Sequence, residues 1–236
     1  MTIAEKFNRK IGLEIEVSED NYYDTKPALF WHKGGDGSVL RYGREYKFLQ
    51  PLQNVNFIKA VDMLCQHFNE NTSKMKFRNV NAGFHIHIDY KDKFDKALKF
   101  ADLAYCLEDW MFNTVNKERQ QNSYCIRLGE PPSEYYNKLL SQYTTRYQAL
   151  CNMRRKWIHV ASMAKHGSVE IRLHHSTNDK MEILTWCEFW TSLAELSDNS
   201  DNFVIPEDKE QLLQMMNLTE PTYNRFSQSL KKRDNA

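Results

Sequence analysis

Val80-Asn-Ala-Gly-Phe-His-Ile-His-Ile-Asp-Tyr90 is the stretch that decides the architecture. Its alternation is strict, so on a strand Phe84, Ile86 and Ile88 share one face while His85, His87 and Asp89 share the other. One face seeks a core and the other carries ionisable groups. Two more stretches repeat the design. In Gly12-Leu-Glu-Ile-Glu-Val17, Glu14 and Glu16 stand opposite Leu13, Ile15 and Val17. In Ser168-Val-Glu-Ile-Arg-Leu-His174, Glu170, Arg172 and His174 stand opposite Val169, Ile171 and Leu173.

Between these strands the pattern changes period. Ser18 to Thr25 is polar and reads as a loop, Pro27 to His32 as a short extended piece, and Lys33 to Ser38 as a Gly-rich turn. Val39–Tyr42 and Arg44–Leu49 read as hairpin arms around Gly43, with Glu45 on the second. Asn54 to Asn71 has helical spacing with Asn54 as its cap, and Lys91 to about Lys117 gives one long helical pattern. Glu118 to Gly129 reads as irregular and Ser133 to Gln142 as a short helix. Arg146–Met153 and Trp157–Ala161 are candidate strands, and Asp179 to Leu196 is a buried helix. Beyond the polar linker Ser197–Asn202, Glu207–Met216 and Pro221–Leu230 are short helices. This order predicts an α+β fold: an antiparallel or mixed sheet with helices on one face and the site on the other. It also predicts a catalytic domain over residues 1–197, with a helical tail over 198–236 packed on it.

Composition narrows the function classes. With 236 residues, 41% hydrophobic, one core suffices. The 32 basic and 31 acidic residues leave a net charge of +1, which gives no electrostatic signal for nucleic acid. Cys65, Cys106, Cys125, Cys151 and Cys187 are scattered, without a C-x-x-C pair, which fits reduced thiols in a cytoplasmic protein. No apolar run reaches signal-peptide or membrane-span length, so no membrane partner is expected.

The chemistry follows from charge crowding. Glu14 and Glu16 have side-chain origins roughly 7 Å apart on one strand face. At an effective dielectric near 20, two carboxylates at that distance repel by about 2.4 kcal/mol. If Glu45 and Glu170 share their cavity, it must hold a cation. Carboxylates with an imidazole suit Mg²⁺ or Mn²⁺, and magnesium commonly shares its sphere with substrate phosphates. Arg127, Arg146, Arg154 and Arg172 are candidate clamps for phosphate or carboxylate. Each signal has a plainer reading: E-x-E is usually a solvated strand face, Glu170 and Arg172 could be a same-face ion pair, and Asp36-Gly-Ser38 is first a turn. His32, His67, His159 and His166 receive no functional role from sequence.

In order along the chain, Gly12-Leu-Glu-Ile-Glu, the Asp36-Gly-Ser turn, Gly43-Arg-Glu45, Pro51, Gly83-Phe-His-Ile-His-Ile-Asp, Arg146-Tyr-Gln-Ala-Leu with Asn152, and Ser168-Val-Glu-Ile-Arg form a recognisable pattern. It resembles the ATP-dependent carboxylate–amine ligases of the glutamine synthetase fold, most closely the small amidoligases found in phage and bacterial genomes. The resemblance spans residues 11 to 190 and departs after Glu45, where Tyr-Lys-Phe-Leu-Gln-Pro replaces the usual Ser-Pro. It implies ATP and Mg²⁺ (or Mn²⁺) as cofactors, with Glu14, His85 and Glu170 holding one metal and Glu16 and Glu45 contributing to a second. It implies further that His87 sits beside the nucleotide phosphates and that Arg172 faces the acid or its acyl phosphate. Arg146 and Arg127 would neutralise the transferred phosphoryl group. Asp36 is a candidate acceptor for the amine proton. The expected partners are a carboxylate and an amine substrate, in a monomer or homodimer. A metal-dependent hydrolase of amides or esters, and a silent nucleotide- or metal-binding module, remain the alternatives.

Overall fold

The structure, a computed structural model, describes residues 3–19, 29–35, 43–77, 82–143, 145, 148, 156–200 and 202–231. Its centre is an antiparallel sheet. The strands are β1 (Ile11–Glu19), β2 (Trp31–Gly35), β3 (Gly43–Phe48), β4 (Met75–Lys76), β5 (Gly83–Asp89), β6 (Ile158–His159) and β7 (Ser168–His175). They run in the order β2-β3-β1-β5-β7-β6, with β4 also paired to β1, and every pairing is antiparallel. The fold is thus α+β.

Alternation does on β1 and β5 what it predicts. Ile11, Leu13, Ile15 and Val17, with Phe84, Ile86 and Ile88, are buried at 0–1% exposure. They pack in one core with α1 (Asn54–Glu70), α2 (Phe94–Tyr105) and α7 (Lys180–Asn199). The intervening helices are α3 (Glu108–Thr114), α4 (Lys117–Gln120), α5 (Pro132–Leu140) and α6 (Ser162–His166). Helix α7 is buried on nearly every side, with Trp186, Phe189 and Trp190 all at 0% exposure. Asp179 caps it by accepting from the Met181 and Glu182 amides.

Several local expectations give way to tertiary partners. Gly34 and Gly35 are not in a turn: they pair with Glu45 and Arg44, so the hairpin partner of β3 is β2. Trp31 drives that pairing by packing on Phe48 and donating its indole N–H to the Ala60 carbonyl. Gly43 lies within β3 opposite Ser18, which itself continues β1 instead of opening a loop. The cap of α1 is Gln53, and Asn54 has a positive φ of 53°. The long pattern after Lys91 is broken at Cys106–Leu107 into α2 and α3. There the Glu108 carboxylate is buried to accept from the Leu128 amide and the Trp157 indole, which turns the chain away from a straight helix. Of the two candidate strands after α5, the second shrinks to Ile158–His159, and the first falls mostly outside the described residues.

The C-terminal helices α8 (Lys209–Met215) and α9 (Glu220–Lys231) contribute Leu212, Leu213 and Phe226 to the same core. A buried carboxylate anchors them. Glu188, at 0% exposure, accepts from the Thr219 amide (2.6 Å), the Thr219 hydroxyl (2.6 Å) and the Thr222 hydroxyl (2.5 Å). Glu188→Gln removes the charge from these bonds and forces the Thr219 and Thr222 hydroxyls to turn from donors into acceptors of its NH₂. We expect a loss of about 2 kcal/mol, read as a fall of roughly 4–8 °C in melting temperature; an unchanged melt would show that the bonds contribute nothing net.

Candidate active site

Cross-strand register builds the site in two adjacent rows on the sheet face away from α1, α2 and α7. One row runs Lys47, Glu14, His85 across β3, β1 and β5. The next runs Gly12, His87, Glu170, His159 across β1, β5, β7 and β6. Gly12 lies opposite His87 at close approach, where an added Cβ would come within 3.1 Å of the His87 Cβ. Glu16 and Glu45 face each other one step along β1.

The side chains converge. His85 Nδ1 lies 3.4 Å from Glu14 Oε2 and 3.3 Å from Glu170 Oε1. His87 Nε2 is 3.3 Å from Glu14 Oε1. Ligand atoms of Glu14, His87 and Glu170 lie within 4.8 Å of one another, close enough for one cation. Glu16 stands apart from that trio: its Oε2 accepts the Gly83 amide at 2.6 Å, while Oε1 is 3.8 Å from His85 Nε2. Glu45 pairs with Lys47 at 3.0 Å. Arg172 Nε lies 3.6 Å from Glu170 Oε1.

The electrostatics fit a cation-binding cage. Burial raises the Glu14 carboxyl, yet His85 and His87 more than offset it and hold the group well below the carboxylate range. Glu170 behaves likewise: burial raises it, and His87, His159, Arg172 and His85 together pull it far below. His85 is depressed first by burial and next by the Arg172 charge, so it stands neutral and able to ligate. On His87 burial also pulls downward, but Glu170 and Glu14 outweigh it and raise the group. His159 Nε2 and Arg172 Nε are buried without hydrogen-bond partners among the described residues. Orphaned polar atoms around these two carboxylates are what a bound cation and its ligands would satisfy.

Sequence reasoning overlooked several members of this site. His159 is one, its Nδ1 2.5 Å from Glu170 Oε2. Its strand is two residues long, too short to show alternation. His166 lies beside His87, with ring centroids 5.8 Å apart. Ser162 and Ser168 both contact His87 Nδ1, at 3.3 and 3.1 Å, and so hold its other nitrogen toward Glu14. Alongside the trio opens a cleft of about 470 Å³, whose walls include Glu14, His87, Glu45, Lys47, Lys165 and His166.

Other expectations are redirected. Arg127 does not reach the cage: it donates to Asp109 at 2.6 Å and stacks on Phe112. Asp36, Arg146 and Arg154 lie outside the described residues. His174 does not share the face of Glu170 and Arg172. It stands opposite the core residue Phe84, fully buried, with its ring 4.7 Å from Trp186. There His174, His175 and Glu182 form a second trio within 4.8 Å, but Arg225 supplies its positive charge. The guanidinium lies 3.0 Å from His174 Nε2 and 3.2 Å from Glu182 Oε1.

The open face of this antiparallel sheet thus carries a cluster of carboxylates and imidazoles that could hold a cation. Residues 51–194 match the family model described as "Putative amidoligase enzyme", and the chain belongs to that family, whose description is that of an enzyme of the ligase type. His85, His87, Glu170 and Arg172 fall inside the match; Glu14, Glu16 and Glu45 precede it. No curated protein matches the chain. No helix among the described residues is long and apolar enough to cross a membrane.

Proposed function

We propose that the chain is an ATP-dependent carboxylate–amine ligase of the glutamine-synthetase-like kind, forming an amide through an acyl phosphate. The observation that carries this reading is the convergence of Glu14, His87 and Glu170 within 4.8 Å, with His85 between the two carboxylates. These residues would hold Mg²⁺ or Mn²⁺, and the cleft beside them would admit nucleotide and acid. When bound, the metal draws off negative charge from the phosphoryl group in transit. The expected first-metal set of Glu14, His85 and Glu170 thereby gains His87 as an equal member. Glu16 and Glu45, engaged with Gly83 and Lys47, support a single tightly held metal better than two.

In the first step a substrate carboxylate oxygen attacks the γ-phosphorus of ATP, the bond to the β,γ-bridging oxygen breaks and ADP leaves. Arg172, with Arg146, offsets the charge on the acid and the transferred group. In the second step the amine nitrogen attacks the acyl carbon, phosphate departs, and a base, for which Asp36 is our candidate, takes the amine proton. The setting we propose is a cytoplasmic monomer or homodimer.

The test is phosphate release from ATP with Mg²⁺ or Mn²⁺ and pooled amino acids and amines, with and without EDTA. We expect ADP and phosphate only when an acid and an amine are both present, and none after chelation. Cleavage of an amide or ester with metal alone, and no ATP turnover in any pool, would replace this reading with the hydrolase.

A further inference from the structure

Strand β7 leaves its regular ladder at one place. Ile86 pairs with Ile171 and His87 with Glu170, but Phe84 pairs with His174, so Arg172 and Leu173 together stand opposite His85. An unbroken ladder would set Leu173 against Phe84 and His174 against Gly83, following the alternation of the sequence. The hydrophobic pattern therefore favours the flat register, and something else must hold the bulge.

Two arginines bracket it. Arg119 of α4 donates from Nη2 to the Arg172 carbonyl (2.5 Å) and from Nε to the Leu173 carbonyl (3.1 Å), the two bulge residues. On the next residue, Arg225 of α9 donates to His174 Nε2, while His174 Nδ1 donates to the His175 carbonyl at 2.7 Å. Arg119 is only 2% exposed, and its Nη1 has no hydrogen-bond partner among the described residues. A buried guanidinium is costly, so its two carbonyl bonds matter. Gly83 makes room for it: an added Cβ would overlap both Arg119 Nη2 and His85 Nε2.

We propose that Arg119 is a positioning residue for Arg172: by holding the Arg172 and Leu173 carbonyls it fixes the backbone from which Arg172 enters the cage, and it keeps the bulge that turns His174 to the helical face. The part of this inference that concerns substrate rests on the ligase reading; the part that concerns the bulge does not.

The bulge is tested by NMR titration of the histidines in Arg119→Met and Arg119→Lys proteins, with His174 assigned through His174→Gln. Among Phe84, Trp186, His175, Glu182 and Arg225, His174 of the unmodified protein stays neutral to about pH 3. With the bulge released it moves to the open face and titrates near the ordinary histidine value. A folded variant of either kind whose His174 still resists protonation overturns the proposal. Lysine is the milder change, since one ammonium cannot reproduce the guanidinium fork; should the Met protein not fold, the Lys protein decides. Kinetics then test the consequence, with the acid and amine found by phosphate release. Arg119→Lys should raise KM for the acid at least tenfold, leave KM for ATP within twofold, and add nothing to Arg172→Lys in the double variant. A lowered melting temperature with both constants unchanged means a merely structural Arg119. Absence of turnover in the unmodified protein counts against the ligase reading alone, and the His174 titration still decides on Arg119.

Discussion

Glu170→Gln should leave a folded protein whose Mn²⁺ affinity has dropped by roughly 100-fold or more, with turnover falling in step. Metal-site partners that only orient ligands already cost 10–100-fold when removed, and Glu170 sits among the prospective ligands themselves. It is 5% exposed, pairs across the sheet with His87 and His159, and lies 3.3 Å from His85 Nδ1. Glutamine fills the same space, so packing around Ile171 and Val169 is kept. What disappears is the negative charge against which His85, His87, His159 and Arg172 are arranged. Titration of free Mn²⁺ by electron paramagnetic resonance gives the affinity, and a thermal melt checks the fold. Glu45→Gln is the control. Its carboxylate is paired with Lys47 outside the trio, so a change of no more than a few-fold is expected there. Undiminished Mn²⁺ binding by Glu170→Gln would remove Glu170 from the ligand set; equal losses in both variants would enlarge that set to include Glu45.

The strand faces were legible because alternation is a local property that burial preserves. Glu14, Glu16, His85, His87, Glu170 and Arg172 all reach the open face from a pattern of period two, and no partner needed to be known. His174 shows where that logic ends. One extra residue in β7 reverses the facing of everything beyond it, and the bonds that stabilise it come from Arg119 and Arg225, fifty or so residues away on either side. His159 escaped for a related reason: a strand of two residues has no period, and only its register with Glu170 reveals its place. The break between α2 and α3 is equally invisible locally, since Glu108 becomes a helix breaker only once Trp157 and Leu128 are there to donate to it. Tertiary partners, not propensity, decided each of these.

Acid should destabilise the protein well before its carboxylates titrate, and His174 is the reason. Burial, and then the neighbouring His175 charge, push its pKa from 6.5 down to about 3, against the opposing pull of Glu182. An unfolded chain binds this proton below about pH 6.5 and the folded chain does not until far lower, so stability is full above 6.5 and declines as pH falls. Between pH 6.5 and 4.5 this one group accounts for about 2–3 kcal/mol, at about 1.4 kcal/mol per pH unit. His87, whose pKa is raised, acts in the opposite sense: its stabilisation is present below 6.5 and fades as pH rises through its folded value. Below about pH 4.5 Glu14, Glu170 and Glu182, all held low in the folded state, add to the decline as the unfolded chain takes up protons that the native carboxylates refuse. Urea unfolding at half-unit pH steps on the metal-free protein measures the curve. His174→Gln can still hydrogen-bond but cannot be protonated, so it should flatten the slope between 6.5 and 4.5 while leaving the steeper fall below 4.5 in place. A slope unchanged by that substitution would mean that His174 takes up its proton as freely in the native protein as in the unfolded chain, and that the Arg225–Glu182 cluster does not seal the bulge from the helical side.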